Sequence, residues 1–97
     1  SVMAIRVKLV TVKPDEKVFY DSTDSLKELH KEFIDSGKLF NTSAVYEGNT
    51  KTYIEDFVSE ADRSEFLADP RKIEDGNFRR AYNESHGITL TITLTEV

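Results

Sequence analysis

A chain of 97 residues with 13 basic and 18 acidic side chains has room for one domain, residues 1–97, and a net charge of -5 disfavours polyanionic partners. Nucleic acid and anionic membrane surfaces start at a disadvantage on that count, and the absence of cysteine excludes disulfides, thiolate-bound zinc, iron–sulfur centres and thiol nucleophiles. Hydrophobic residues reach only 38%, below the ~45–50% of an average globular chain, so the expected core is modest.

Ser1 and Val2 precede the first methionine and carry no functional weight here. Met3, Ile5, Val7 and Leu9 then alternate with Ala4, Arg6 and Lys8, the period of a strand with one buried face. Arg6 and Lys8 also interrupt the stretch where a signal-peptide core would lie, and no apolar run approaches the ~18 residues of a membrane span. A cytoplasmic protein is the expectation. Lys13-Pro14-Asp15-Glu16 reads as a turn, and residues 14–21 offer a further short strand as the alternative reading.

Ser22, Thr23 and Ser25 are candidate caps for a helix whose apolar face carries Leu26, Leu29, Phe33 and Ile34 and which stops at Gly37. Residues 39–47 and 51–58 read as two strands joined at Gly48-Asn49. The second has Tyr53 and Phe57 on one face and Ile54 and Val58 on the other, the pattern of a central strand. Ser59 opens another helix with Phe66, Leu67 and Ile73 inward. Ile73 and Phe78 would stand ~140° apart on one continuous helix, so breaks are expected at Asp69-Pro70 and Asp75-Gly76-Asn77. A last helical piece would then bury Phe78, Ala81 and Tyr82. Ile88, Leu90, Ile92 and Leu94 finally alternate with Thr89, Thr91, Thr93 and Thr95, a half-buried antiparallel strand.

This order predicts an α+β fold, the ferredoxin-like βαββαβ plait. One four-stranded antiparallel sheet carries its helices on one face, the second helix broken near 69–77. The helix-free face would hold Arg6 and Lys8 beside Thr89, Thr91 and Thr93, with Tyr53 and Phe57, or Tyr46, reaching it from the third and second strands.

No phosphate-cradling loop, nucleophile elbow or histidine pair at metal-ligand spacing is present, and no cofactor is expected. His30 falls ~40° from Leu26 on the helical wheel, inside the apolar arc, where an imidazole serves either as a core-edge hydrogen-bond donor or as an acid–base group. Tyr82 could place a phenol in the same pocket or simply pack with its hydroxyl at the rim. Asp62, Glu65 and Asp69 read as a solvated acidic face. Arg71, Lys72, Arg79 and Arg80 form the only basic cluster, which could dock an acidic partner or a phosphate but is read as solvated ion pairs with Glu74, Asp75 and Glu84.

The segment from Phe57 to Pro70, FVSEADRSEFLADP, resembles the strand-into-helix passage of dimeric α+β barrel proteins, the group that contains antibiotic-biosynthesis-type monooxygenases. That resemblance implies two sheets packed through their open faces and a ligand pocket between helices and sheet. The leading expectation is a non-catalytic binding or assembly module acting through a protein partner or a homodimer. The alternative is a cofactor-free small-molecule enzyme of the barrel type with His30 and Tyr82 lining its pocket, and a weaker third is RNA binding on the open face.

Overall fold

The opening alternation becomes β1 (Ile5–Val12), an inner strand of the four-stranded antiparallel sheet in the computed structural model, which describes residues 3–97. Helix α1 (Asp24–Asp35) follows, then the hairpin β2 (Leu39–Glu47) and β3 (Thr50–Phe57), helices α2 (Glu60–Ala68) and α3 (Pro70–His86), and β4 (Thr89–Glu96). The strand order is β2-β3-β1-β4, so β1 and β3 are central and the last strand lies beside the first, as the plait requires. Residues 13–23 form an irregular connection with no strand in it.

Local chemistry accounts for the boundaries. The Thr23 hydroxyl accepts from the Leu26 backbone N–H at 3.1 Å and opens α1. Gly48, at φ 58, supplies the left-handed residue that a two-residue hairpin turn needs. Asp69 closes α2 and opens α3: its Oδ1 accepts from the Arg71 N–H at 2.9 Å, and Pro70 takes the first helical position. The break in the second helix is therefore at Asp69. The further break expected at Asp75-Gly76-Asn77 does not occur, and α3 runs unbroken through it to Gly87. The conflict that suggested a break dissolves because Ile73 and Phe78 do not both need to face inward. They stand 51% and 53% exposed, and the buried face of α3 is polar.

The core lies between α1, α2 and the sheet: Val7, Leu26, Leu29, Phe33, Leu39, Phe57 and Phe66 form one buried cluster. Each fully buried Leu or Phe there contributes about 1.5–3 kcal/mol. The opposite face of β1 carries Arg6, Lys8, Val10 and Val12, paired in register with Thr95, Thr93, Thr91 and Thr89, and no described helix covers it. Phe57 and Tyr53 are on the helix side instead. Phe57 is 1% exposed in the core, because β3 keeps phase with Val7 and Leu9 rather than with Arg6 and Lys8. Tyr46 also faces the helix side, its ring edge against Phe19 at 5.8 Å. The β4 side chains Ile92 and Leu94 point to the helix side yet remain about half exposed, since α3 does not reach over that edge.

Candidate active site

Between the sheet, α1, α3 and the 13–23 connection lies a cavity of about 270 Å³. Leu9, Tyr53, Glu55 and Leu90 form its floor, His30 and Leu26 one wall, and Phe19 and Tyr20 the mouth. The last wall is the inward stripe of α3: Lys72, Asp75, Arg79 and Asn83, spaced by three and four residues and so aligned on one helical face. A helix normally turns an apolar stripe to a sheet; this one turns cations, a carboxylate and an amide.

The centre of the site is a His–carboxylate pair. His30 Nε2 lies 3.1 Å from Glu55 Oε2, and Glu55 is only 7% exposed. The His30 ring stacks on Phe66 at 5.2 Å with 13° between planes, so its orientation is held from below as well as from the side. With Nε2 protonated and donating to Glu55, Nδ1 keeps its lone pair and takes no partner among the described residues. This is the arrangement of a base oriented by a carboxylate.

Asp75, 1% exposed, ties the mouth to α1. Its Oδ1 accepts from the Tyr20 hydroxyl and from the Thr23 backbone N–H, both at 2.9 Å. Burial, then that hydrogen bond, pushes the Tyr20 phenol up to about 12. The Tyr53 phenol is also pushed up, by burial first and by the Glu55 charge second, so both tyrosines keep their protons at neutral pH. Burial holds the Lys72 amine and the Arg79 guanidinium below their ordinary values; the Arg79 charge adds to this at Lys72, and the Arg80 charge at Arg79. Neither has a carboxylate within 4.0 Å among the described residues. Asp75 Oδ2, Arg79 Nε and Asn83 Oδ1 are buried without any hydrogen-bond partner. Orphaned polar atoms facing a cavity are costly unless something else satisfies them.

Of the residues singled out from the sequence, His30 lines this cavity and Tyr53 joins it from the floor. Tyr82 does not. Its hydroxyl donates to the Val18 carbonyl at 2.6 Å and its ring stacks on His86 at 3.9 Å, so it clamps the 13–23 connection onto α3. The basic cluster divides: Arg71 pairs with Glu32 and Asp69, and Arg80 bonds Asn77, whereas Lys72 and Arg79 turn inward and are not solvated pairs. Glu65 pairs with Lys38, and Asp69 is a cap. On the helix-free face Arg6 holds Asp56 through two hydrogen bonds, 2.9 and 3.1 Å, while Lys8, Thr89, Thr91 and Thr93 are exposed.

Sequence reasoning missed Glu55 and Asn83, and it set Lys72, Asp75 and Arg79 at the solvated surface instead of against the sheet. Glu55 was recoverable, because it stands in phase with Tyr53 and Phe57 and must share their face. The α3 stripe was not, because polar residues at helical spacing are read as the solvent side. Its one signal is Gly76 in mid-helix, a residue that costs about 1 kcal/mol there against alanine and marks a special surface.

No family model matches the chain, and no curated protein matches it. Among solved structures it is similar to a conserved protein from Methanosarcina mazei Go1, with 17% identity over 97% of this chain and 92% of that one and a TM-score of 0.63. It is also similar to a conserved protein of unknown function from Bacteroides thetaiotaomicron VPI-5482, described as a possible oxidoreductase, with 9% identity over 100% of both chains and a TM-score of 0.67. A protein described as an antibiotic biosynthesis monooxygenase, from the same bacterium, aligns at 21% identity over 96% of this chain and 87% of that one, with a TM-score of only 0.42. At these identities the likeness is one of architecture, and it places the chain among α+β proteins with the ferredoxin-like plait.

Proposed function

We propose that this chain is a cofactor-free enzyme that moves a proton within a small anionic substrate carrying an enolisable carbonyl. The single observation behind this reading is the buried His30–Glu55 pair at 3.1 Å, set in the wall of a cavity with two unpaired cations. His30 Nδ1 takes the proton from the carbon next to the carbonyl, and the electron pair moves onto the carbonyl oxygen. Lys72, Arg79 and the Tyr53 hydroxyl supply positive potential to the oxyanion, while the Tyr20 hydroxyl stays bonded to Asp75. Return of the proton to a different atom gives an isomer, so the balance closes without an external reactant.

The test is solvent-deuterium incorporation into phenylpyruvate, pyruvate and acetoacetate, followed by proton NMR. Wild-type protein should accelerate exchange for at least one of them, and His30→Ala should lose about 10²–10⁴-fold of that rate. Exchange no faster than with His30→Ala for every compound would refute the reading.

A second reading, self-association through the helix-free face, is favoured by Val10, Ile54 and Val45 lying there among threonines with no layer over them. Thr91→Glu would then shift the light-scattering mass to that of one chain. An unchanged mass for wild type and variant would remove this reading.

A further inference from the structure

Across the Lys72–Arg79 wall from the His30 cavity lies a second cavity of about 310 Å³, between α2, α3 and the β1–β4 half of the sheet. Its floor is apolar, built from Val7, Leu9 and Phe57, and its open side runs past Leu67, Ile73 and Ile92. Its upper wall is cationic: Arg63, Lys72, Arg79 and Arg80, with Glu55 the only carboxylate that lines it. Arg63 pairs with Glu60 at 2.9 Å, but the other three have no acidic partner among the described residues. In a chain of net charge -5 that concentration of free positive charge over an apolar floor is not a consequence of composition.

Gly76 adds a second, independent observation. It lies buried in the same wall, in mid-helix, where every residue but proline would favour the helix more. The three nearest atoms to the place its Cβ would occupy all belong to the Arg80 guanidinium, the closest being Nη1 at 3.2 Å. What the glycine preserves is room for the Arg80 guanidinium over the cavity mouth.

We infer that this second cavity binds an apolar acid, its carboxylate or phosphate held by Lys72, Arg79 and Arg80 and its hydrocarbon part laid on Val7, Leu9 and Ile92. The orphaned, buried Arg79 Nε is one of the donors it would satisfy. Charge-assisted hydrogen bonds select the acid group, and the apolar floor selects against small hydrophilic anions. This inference goes beyond the proton-transfer reading, since it concerns binding alone, in a cavity that shares Lys72 and Arg79 with the first but is not lined by His30.

Isothermal titration and amide shift mapping with octanoate, octyl phosphate, octanol and acetate, all below micelle-forming concentrations, test it. Octanoate or octyl phosphate should bind once per chain, and octanol of the same length about tenfold to a hundredfold more weakly. Which of the two acids binds more tightly identifies the head group. Ile92 is half exposed, so both Ile92→Glu and Ile92→Lys should fold. They remove the same apolar contact with opposite charge, and Ile92→Glu should weaken octanoate at least about tenfold more than Ile92→Lys does. His30→Ala should leave octanoate binding in place, which keeps a failure of the proton-transfer reading separate from a failure here. Octanol binding as tightly as octanoate, equal losses in the two Ile92 variants, or no binding of either acid would overturn the inference.

Discussion

Lys72→Met should make the protein more stable. In the folded chain the Lys72 ammonium is largely withdrawn from water, has no carboxylate within 4.0 Å among the described residues, and faces the like charges of Arg79 and Arg80. Desolving an unpaired ammonium costs several kcal/mol even after relaxation. Two effects offset part of that: attraction to the Glu55 and Asp75 carboxylates, and the Phe66 ring, over which the amine lies at 5.7 Å in a cation–π interaction of about 0.5–2 kcal/mol. Methionine keeps an unbranched stem of similar reach and leaves no charge to desolve. The net gain should be about 1–3 kcal/mol near neutral pH. At roughly 4–8 °C per kcal/mol for a domain of this size, the rise in Tm is readily measured by calorimetry.

The sign of the pH dependence follows from the depressed amine. In the unfolded chain Lys72 keeps its ordinary value of 10.5, and in the folded chain it releases its proton at lower pH. Between the two the unfolded state binds more protons, so the wild type gains stability as pH rises toward 10.5. The advantage of Lys72→Met is therefore full below the folded value and shrinks as the pH climbs through that window. A variant that is less stable than wild type, or one whose advantage is the same at pH 7 and pH 10, would refute the reasoning about a desolvated, unpartnered charge.

Phe66→Ala should cost about 3–5 kcal/mol, because the ring is 1% exposed and packs on Phe33, Phe57 and His30 together. Urea unfolding measures it, and a loss below about 1 kcal/mol would contradict the packing described. Arg6, donating to Asp56, holds that buried carboxyl below its ordinary 3.8, with Asn41 assisting. A depressed carboxylate stabilises above the unfolded value and loses that contribution as pH falls through the folded one. Arg6→Gln should accordingly lower Tm near neutrality and converge on wild type in strong acid. A deficit that stays constant down to low pH would dissociate the pair from acid stability.

The strands were readable because their side chains alternate over long runs. Thr89–Leu94 and Ile5–Leu9 each present one polar and one apolar face, and it is the βαββαβ order of elements that puts β4 beside β1 in the plait. The hairpin was readable from Gly48-Asn49. The course of α3 was not, since Ile73 and Phe78 look like core residues and instead face solvent, while Lys72 and Arg79 look like surface and instead face the sheet. Sequence patterning assumes that burial follows polarity. Helix α3 breaks that assumption along Lys72, Asp75, Arg79 and Asn83, where polar groups lining a cavity take the place of core. His30 was visible because it stands alone on an apolar face; its partner Glu55 and the ties from Asp75 to Tyr20 and Thr23 join residues far apart in the chain and leave no local trace.

The central claim is that the polar cavity under α3 receives a small anion beside the His30–Glu55 pair. It is tested most directly by nitrogen-edited NMR of backbone amides, the His30 ring and the Lys72 and Arg79 side chains during titration with phenylpyruvate. The account predicts saturable shifts confined to His30, Tyr53, Glu55, Lys72 and Arg79, all of which vanish when Lys72→Met and Arg79→Gln are combined. Shifts centred on Val10, Thr91 and Thr93 across the sheet, or none at all with any of the three oxo acids, would contradict it.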